Sequence, residues 1–453
     1  MKRFSCSCLV LLMASSAAFA GSSVVQPKEN PYYIAGPAVV TDSLNGISFD
    51  LPKGWYASIP EPVKGIPMTG VTTIANYDLG HAENLMPGRS AHEMLPGMVK
   101  ADLFTQKLEA GMTVAQFAGE RNHNIVSGTY DELGTEIFAP ALTTSTIRLR
   151  FAGEDGYAYG VVTELVSSVD LILPWKSGSQ IFFANVHQAD SRSIDQAMLV
   201  LDTVRPAGER PRPILKSQYA EVVAPVLKLV TTEVPALQQA VASAGACTSW
   251  TGSDAGTGIS NCPDTLYFPV QYNEYWEAGN AGSFWGNYYH GNCNNDYYAM
   301  DLNYRGVGSC GAYGNDIGHN AYAAYSGTAA QGAYDSTGYG YHTIVTSTIS
   351  GVTYKTYYAH LKQTGYAGAA TANVTVVGLV GDSGAAAGAA HLHFGIKQSG
   401  SSKCNTNGSN ASCTTKCSNC EAKASPQSCK PGRMSALGGI KSMYDGACYG
   451  GPP

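Results

Sequence analysis

The stretch that decides the fold is VVGLVGDSGAAAGAAHLHFGI, residues 376–396. An apolar run is followed by a turn of small residues and then by a second apolar run that contains His391 and His393. Residues two apart on a β-strand point to the same face, so this spacing places both imidazoles in one site. Paired histidines also occur in protein cores and on surfaces, so the residues upstream must decide whether this pair binds a metal.

Two upstream segments add residues suited to metal binding and proton transfer. VTYKTYYAHL, residues 352–361, alternates like a strand and contains His360. YYHGNCNNDYYAMDLNY, residues 288–304, contains His290 and, within a strand-like run, Asp301. A catalytic zinc needs three imidazole or carboxylate ligands and an open fourth position. Together the segments predict a zinc site in a mainly antiparallel β domain, with histidines left over for proton transfer.

These three segments, in this order, resemble the lysostaphin/LytM-type zinc metallopeptidases, and among them the beta-lytic and staphylolytic endopeptidases. The resemblance covers residues 266–397. It implies that His290, Asp301 and His393 bind Zn²⁺ and that His360 and His391 act on the substrate. It also implies an enzyme that hydrolyses peptide bonds in bacterial peptidoglycan.

Two site assignments stay open. Lysostaphin-like members space the first histidine and the aspartate as HxxxD, and Tyr297 occupies that histidine position here. We favour His290 as the ligand, with Asp296 as the alternative, because imidazole holds zinc well. Tyr358 lies two residues before His360 and is a candidate hydrogen-bond donor to the oxyanion, with packing on the sheet as its alternative role.

The N-terminus has the pattern of a secretory signal peptide, residues 1–20. Lys2 and Arg3 form a basic start, an apolar segment follows, and Ala18-Phe19-Ala20 is a cleavage site. The sequence therefore predicts a secreted or periplasmic protein. The formal net charge of −6 argues against nucleic acid as a partner, because a phosphate backbone requires a basic surface. No later segment has the roughly 20 apolar residues that span a bilayer, and we expect a soluble monomer.

Cysteines are confined to the second half of the mature chain. Of the 12 cysteines, Cys6 and Cys8 leave with the signal peptide, and the other ten lie from Cys247 onward. An even number of cysteines in an exported protein predicts a disulfide framework. Cys293 and Cys310 flank the aspartate of the metal site, so they or their partners are expected to brace it.

The cysteine-free part predicts a separate α+β N-terminal domain, residues 21–206. Strands are expected at residues 46–52, 145–151, 156–166 and 180–186, and helices near residues 91–106 and 193–204. GISFDLPKGW (46–55) and AMLVLDTVRP (197–206) resemble the PsbP/Mog1-like sandwich. A proline-containing linker (207–245), the zinc metallopeptidase domain (246–400) and a cysteine-rich extension (401–453) follow.

The function that fits these patterns is a secreted zinc-dependent endopeptidase acting on the peptide stems or cross-bridges of peptidoglycan. The N-terminal domain is either a pro-region that blocks the groove until it is removed, as in a zymogen, or a retained accessory domain. A non-catalytic peptidoglycan-binding activator of another wall hydrolase and a secreted protease acting on glycine-rich host proteins are the alternatives. Degenerate activators lack zinc ligands or catalytic histidines, and the presence of all five candidates favours an enzyme.

Overall fold

Antiparallel strand pairing accounts for most of this molecule, as the alternating patterns predict. The computed structural model describes residues 30–62, 69–81, 94–127, 129–130, 136–138, 142–151, 154–162, 167–176, 179–188, 194–209, 224–243, 266–279, 299–336, 338–364, 367–386, 388–404, 424–428, 433–442 and 447–453. The predicted signal peptide lies outside these ranges.

The N-terminal region, residues 32–243, is built largely from strands. Its strands are β1 Tyr33–Ala35, β2 Ala38–Asp42, β3 Ile47–Leu51, β4 Tyr56–Ser58, β5 Thr69–Gly70, β6 Thr72–Ala75, β7 Val99–Lys107, β8 Thr129–Tyr130, β9 Glu136–Phe138, β10 Leu142–Thr143, β11 Ile147–Phe151, β12 Glu154–Val162, β13 Ser167–Trp175, β14 Gln180–Gln188 and β15 Arg205–Pro206. Its helices are α1 Val114–Ser127, α2 Ile194–Leu201, α3 Ala224–Lys228 and α4 Val234–Ser243, and the π-helical turn Leu229–Glu233 joins the last two.

One large sheet organises this region, in the order β1-β4-β6-β7-β14-β13-β12-β10, with β11 also paired to β12. A smaller sheet has the order β15-β3-β2. The strands expected near residues 46–52, 145–151, 156–166 and 180–186 are present as β3, β11, β12 and β14, and the helix expected near residues 193–204 is α2.

The expectation of an α+β domain is corrected, because strands dominate the described part of this region. The helix predicted near residues 91–106 is wrong: Val99–Lys107 is β7, a central strand bonded to β6 and β14. Val99, Ala101 and Leu103 enter the core of the N-terminal sheet, whereas Phe104 packs on Tyr334 of the C-terminal region. A segment that is buried on both faces fits a strand and a helix equally well, so its neighbours decide.

Residues 224–243, within the predicted linker, are helical and packed against the large sheet. Val226 and Val234 are buried in the same apolar core as β12. Gly160 of β12 makes room for this contact, since an added Cβ would lie 2.4 Å from Val234 Cγ2. Pro225 occupies the second position of this helical run, where the absent N–H costs least, and Pro235 lies inside the run, directly after the π-helical turn and Val234.

The C-terminal region, residues 266–453, contains a second large antiparallel sheet and a separate pair of strands. Its strands are β16 Glu274–Ala278, β17 Met300–Val307, β18 Asn320–Tyr322, β19 Gly327–Gln331, β20 Tyr341–Ile349, β21 Val352–Thr364, β22 Gly368–Ala370, β23 Val376–Val380, β24 Leu392–Cys404, β25 Ala424–Ser428, β26 Arg433–Ala436, β27 Gly439–Ser442 and β28 Ala447–Gly450. The main path runs β22-β19-β20-β21-β24-β17-β16-β28, with β25 on β24 and β23 joining β18 to β21, and β26 and β27 form the separate pair. The mainly-β C-terminal fold is thereby confirmed.

Strand pairing joins the two regions, and residues 32–453 form one compact unit. β5 of the N-terminal region pairs with β21, with Gly70 opposite Gln363. Glu61 Oε1 accepts a hydrogen bond from Lys362 Nζ at 3.0 Å. The Gln363 side chain bonds to both the N–H and the carbonyl of Glu61.

One disulfide of the predicted framework lies within the described residues and joins Cys310 to Cys448. It connects the chain just after β17 to β28 and spans 138 residues. β17 contains Asp301, so this bond braces the strand of a predicted metal ligand. Cys404 ends β24, and Cys293 and the remaining cysteines of the mature chain lie outside the described ranges.

We expect denatured, non-reduced protein to show no titratable thiol, with about five disulfides in the mature chain. Replacing both Cys310 and Cys448 with serine should lower the free energy of unfolding by on the order of 4 kcal/mol, because a long loop is released in the unfolded state. Thiol titration and urea denaturation measure the two effects. A count near ten thiols would contradict the disulfide framework.

His342 makes stability depend on pH. It is buried on β20, its Nδ1–H donates to Gly340 O at 3.1 Å, and burial lowers its pKa from 6.5 to about 4. A histidine whose pKa is depressed by folding contributes full stability above pH 6.5 and loses it as the pH falls through 4. We expect about 3 kcal/mol of the free energy of unfolding to disappear over that window. Urea denaturation at several pH values should show a flatter dependence for His342→Gln, and an unchanged dependence would contradict this.

Among the described residues, no helix is long and apolar enough to cross a membrane.

Candidate metal centre

Strand β24 forms the middle of the candidate site. It runs between β17 and β21, which places His393 directly opposite Asp301 on one side and Ala359 on the other. Residues directly opposite each other in an antiparallel pair present their side chains on the same face. The strand register therefore brings together an imidazole and a carboxylate that are 92 residues apart in the sequence.

His360 reaches the same face through a β-bulge. Ala359 and His360 together lie opposite the single residue His342, which interrupts the alternation along β21. His360 has a φ of 58°, in the left-handed region, which costs a non-glycine residue about 1 kcal/mol. As a result its ring centroid lies 4.7 Å from that of His391 and 5.6 Å from that of His393.

The four side chains form a buried, tightly spaced cluster. Asp301 Oδ1 lies 3.1 Å from His393 Nδ1 and 3.4 Å from His391 Nε2. The ligand atoms of His360, His391 and His393 all lie within 4.8 Å of one another. All four residues are at most 3% exposed. Such a concentration of donor atoms inside a protein indicates a metal or catalytic site.

Backbone carbonyls orient two of the imidazoles. His360 Nδ1 donates to Ser383 O at 2.8 Å, and His391 Nδ1 donates to Ala389 O at 3.1 Å. A histidine that donates from Nδ1 in its neutral form has Nε2 as its basic nitrogen. Both rings can therefore accept a proton, or bind a metal, through Nε2.

The donor atoms fit zinc. Two ligand atoms that are each roughly 2.1 Å from one tetrahedral metal lie roughly 3.4 Å apart, and the 3.1 Å between Asp301 Oδ1 and His393 Nδ1 is close to this spacing. Imidazole and carboxylate are also the ligand types that zinc accepts. Of the predicted ligands, Asp301 and His393 lie in this cluster, whereas His290 and its alternative Asp296 lie outside the described residues.

Tyr358 is not brought to the cluster, which corrects its expected role at the oxyanion. Its hydroxyl accepts a hydrogen bond from Ala324 N at 2.6 Å, and its ring packs on Phe394. Complete burial raises its pKa to about 12. The expectation assumed that Tyr358 and His360 share a face, and the bulge at His360 removes that relation. Tyr358 instead packs in the core of the sheet, which was the alternative to a role at the oxyanion.

Tyr339 is a neighbour of the site that the sequence does not reveal. Its ring centroid lies 5.5 Å from that of His393, and its hydroxyl accepts a hydrogen bond from Lys397 Nζ at 2.9 Å. Its carbonyl accepts from His360 N at 2.8 Å. In the sequence Tyr339 stands between two glycines, a pattern that indicates a turn and says nothing of a site.

No family model matches this sequence, and no curated protein matches it either. One similar solved structure is the catalytic domain of a mutant of the prophage-encoded M23 protein EnpA from Enterococcus faecalis, with 18% identity and a TM-score of 0.21 over 31% of this chain and 90% of that chain. Another is cyanobacterial PsbP (CyanoP) from Synechocystis sp. PCC 6803, with 12% identity and a TM-score of 0.22 over 40% of this chain and 98% of that chain. With scores this low, neither similarity establishes a family or a function for this chain.

Proposed function

We propose that the protein is an exported, zinc-dependent endopeptidase that hydrolyses peptide bonds in the stems or cross-bridges of bacterial peptidoglycan. The convergence of Asp301, His360, His391 and His393 in one buried cluster supports the chemistry. The resemblance of the three sequence segments to lysostaphin/LytM-type peptidases supports the substrate.

In this proposal Asp301 and His393 hold the zinc, with His290 as the third ligand. When bound, zinc lowers the pKa of a water molecule towards roughly 7 and polarises the scissile carbonyl. The sequence contains no HExxH motif and so no glutamate base of that type. His360 and His391 supply the proton transfer instead.

The orientation of the two histidines suits that role. Each uses Nδ1 to bind a backbone carbonyl, so Nε2 can take a proton from the attacking water and return it to the leaving amine. A protonated imidazole beside the reacting carbonyl also stabilises the negative charge that develops on its oxygen.

Purified protein incubated with bacterial cell walls tests the proposal. We expect release of muropeptides with new amino and carboxyl ends, identified by mass spectrometry, and loss of this release with a zinc chelator. Release through glycosidic bonds, or release that the chelator leaves unchanged, would contradict it. An activator would release nothing alone and would accelerate a second wall hydrolase.

Export and processing are part of the proposal. We propose that residues 1–20 direct the protein to a secreted or periplasmic location, where it acts as a monomer. N-terminal sequencing of the protein from culture medium or periplasm should begin at Gly21 if the signal peptide alone is cleaved, and near residue 245 if residues 21–206 are a pro-region. The first outcome supports a retained accessory domain and the second a zymogen.

A further inference from the structure

Hydrogen bonds to two neighbouring loops hold His360 in an unfavourable backbone conformation. Its φ of 58° lies in the left-handed region, which residues other than glycine adopt uncommonly and at a cost that the surrounding contacts must offset. Its N–H donates to Tyr339 O at 2.8 Å, and its Nδ1–H donates to Ser383 O at 2.8 Å. The position of the Ser383 carbonyl therefore sets the direction and the tautomer of the His360 ring.

The Ser383 loop, residues 381–386, is itself bound to the strands beside His360. Ser383 Oγ donates to Leu361 O at 2.7 Å and accepts from Tyr341 N at 2.9 Å. Gly384 has a φ of 68°, and an added Cβ would lie 2.3 Å from Gly340 N. The backbones of Gly384 and Gly340 are therefore packed so closely that the loop cannot move further towards the C-terminal sheet.

On its other side the Ser383 loop is held by the N-terminal region. Lys100 Nζ donates to the carbonyls of Asp382 and, at 3.3 Å, Ala386. Asp102 Oδ2 accepts a hydrogen bond from Gly384 N at 2.8 Å. Lys100 and Asp102 alternate along β7 with the apolar residues of the N-terminal core, so both project from the face that meets the loop.

One cation and two carboxyl groups meet at this contact. Lys100 Nζ lies 3.6 Å from Asp102 Oδ2 and 3.9 Å from Asp382 Oδ1, and all three side chains are buried. Burial raises the pKa of Asp382, and Lys100 acts in the opposite direction. Removing one partner of a buried ion pair strongly destabilises the folded protein, because the other charge stays buried without compensation. The loop therefore depends on both Lys100 and Asp102 for its position.

We infer that Lys100 and Asp102 are positioning residues that hold the Ser383 loop so that its carbonyl orients the His360 ring for proton transfer. This inference rests on the proposed function, which gives His360 a catalytic role. The N-terminal region then supports the active site indirectly, because its Lys100 and Asp102 hold the loop that orients His360. That arrangement favours retention of the region in the working enzyme over its removal as a pro-region.

The test uses the purified full-length protein and two independent measurements. Nitrogen-15 NMR of the histidine rings in zinc-free protein reports the His360 tautomer, with the His360 signal assigned by its loss in His360→Gln. We expect the Nδ1–H tautomer in the unaltered protein and a mixture of tautomers in Asp102→Asn, whose amide cannot accept all the hydrogen bonds that the carboxylate accepts. In the zinc-loaded protein we expect kcat to fall about 100-fold with KM and zinc content unchanged.

A second variant separates positioning from folding. Lys100→Met combined with Asp382→Asn removes one cation and one carboxylate. The remaining carboxylate, Asp102, keeps its hydrogen bonds from Gly384 N, Thr73 Oγ1 and the Tyr334 hydroxyl. The hydrogen bonds from Lys100 to the two loop carbonyls are still lost. We therefore expect this double variant to fold, to bind zinc, and to show the same mixed tautomers and lowered kcat.

Asp42→Asn is the matched control, because Asp42 is also buried and accepts hydrogen bonds from Leu44, Asn45 and Thr72, all in the N-terminal region. It should leave the His360 tautomer and kcat unchanged. An unaltered tautomer in both loop-contact variants, or the same shift in Asp42→Asn, would overturn the inference. If the unaltered protein cleaves no cell-wall peptide while the tautomer responds as expected, the proposed function fails and the positioning of His360 stands.

Discussion

His393→Ala is expected to lose bound zinc and all detectable peptidase activity together. His393 lies opposite Asp301 at the centre of the cluster, and its Nδ1 is 3.1 Å from the carboxylate. Removing one of three protein ligands leaves too few donors to retain a catalytic zinc. Metal analysis should show about one zinc per chain in the unaltered protein and none in purified His393→Ala.

His342→Gln is the control for this experiment. His342 is also a buried histidine of the same sheet, and its Nδ1 is bonded to Gly340 O, so its replacement should leave zinc content and turnover intact. Full activity in a zinc-free His393→Ala protein would show that the ligand assignment is wrong.

His360→Ala is expected to keep its zinc and to lose turnover by 10²- to 10⁴-fold, the usual contribution of a positioned acid–base group. The reason is that His360 is proposed to move a proton and not to bind the metal. Comparing kcat with zinc content in the same preparation checks this. Parallel loss of zinc and activity would instead make His360 a ligand.

The same position tests backbone strain. Within a strand, alanine normally gives a more stable protein than glycine does, whereas a φ of 58° favours glycine. We therefore expect His360→Gly to have a free energy of unfolding about 1 kcal/mol above that of His360→Ala, with both variants inactive. Urea denaturation of the pair measures the difference, and the reverse order would argue against the left-handed conformation.

Several features of the candidate site follow from local sequence patterns. The spacing of His391 and His393, two residues apart on an alternating apolar run, predicts that their imidazoles share a site, and the structure places their ligand atoms together. Strand-like runs also predict β3, β11, β12 and β14, each of which contributes residues to the core of the N-terminal sheet. These properties depend on a residue's neighbours along the chain, which the sequence displays directly.

Local patterns mislead where long-range contacts decide the outcome. A helix is expected near residues 91–106, and yet Val99–Lys107 forms β7, because β6 and β14 supply hydrogen bonds on both edges. In a regular strand Tyr358 and His360 would point to the same face. The bulge formed by Ala359 and His360 opposite His342 breaks this alternation, so the two side chains point in different directions. The residues of β7 do not identify its partner strands, and the residues of β21 do not reveal the bulge.

The sequence by itself determined the antiparallel β character of the C-terminal region and the types of residue available for a zinc site. Only the tertiary structure decided that Asp301 stands opposite His393 and that Lys100 and Asp102 lie beneath the Ser383 loop. Periodicity specifies the face of a side chain within one segment. Register and packing depend on contacts between segments that lie from about one hundred to nearly three hundred residues apart, and their energies appear only when the whole chain is folded.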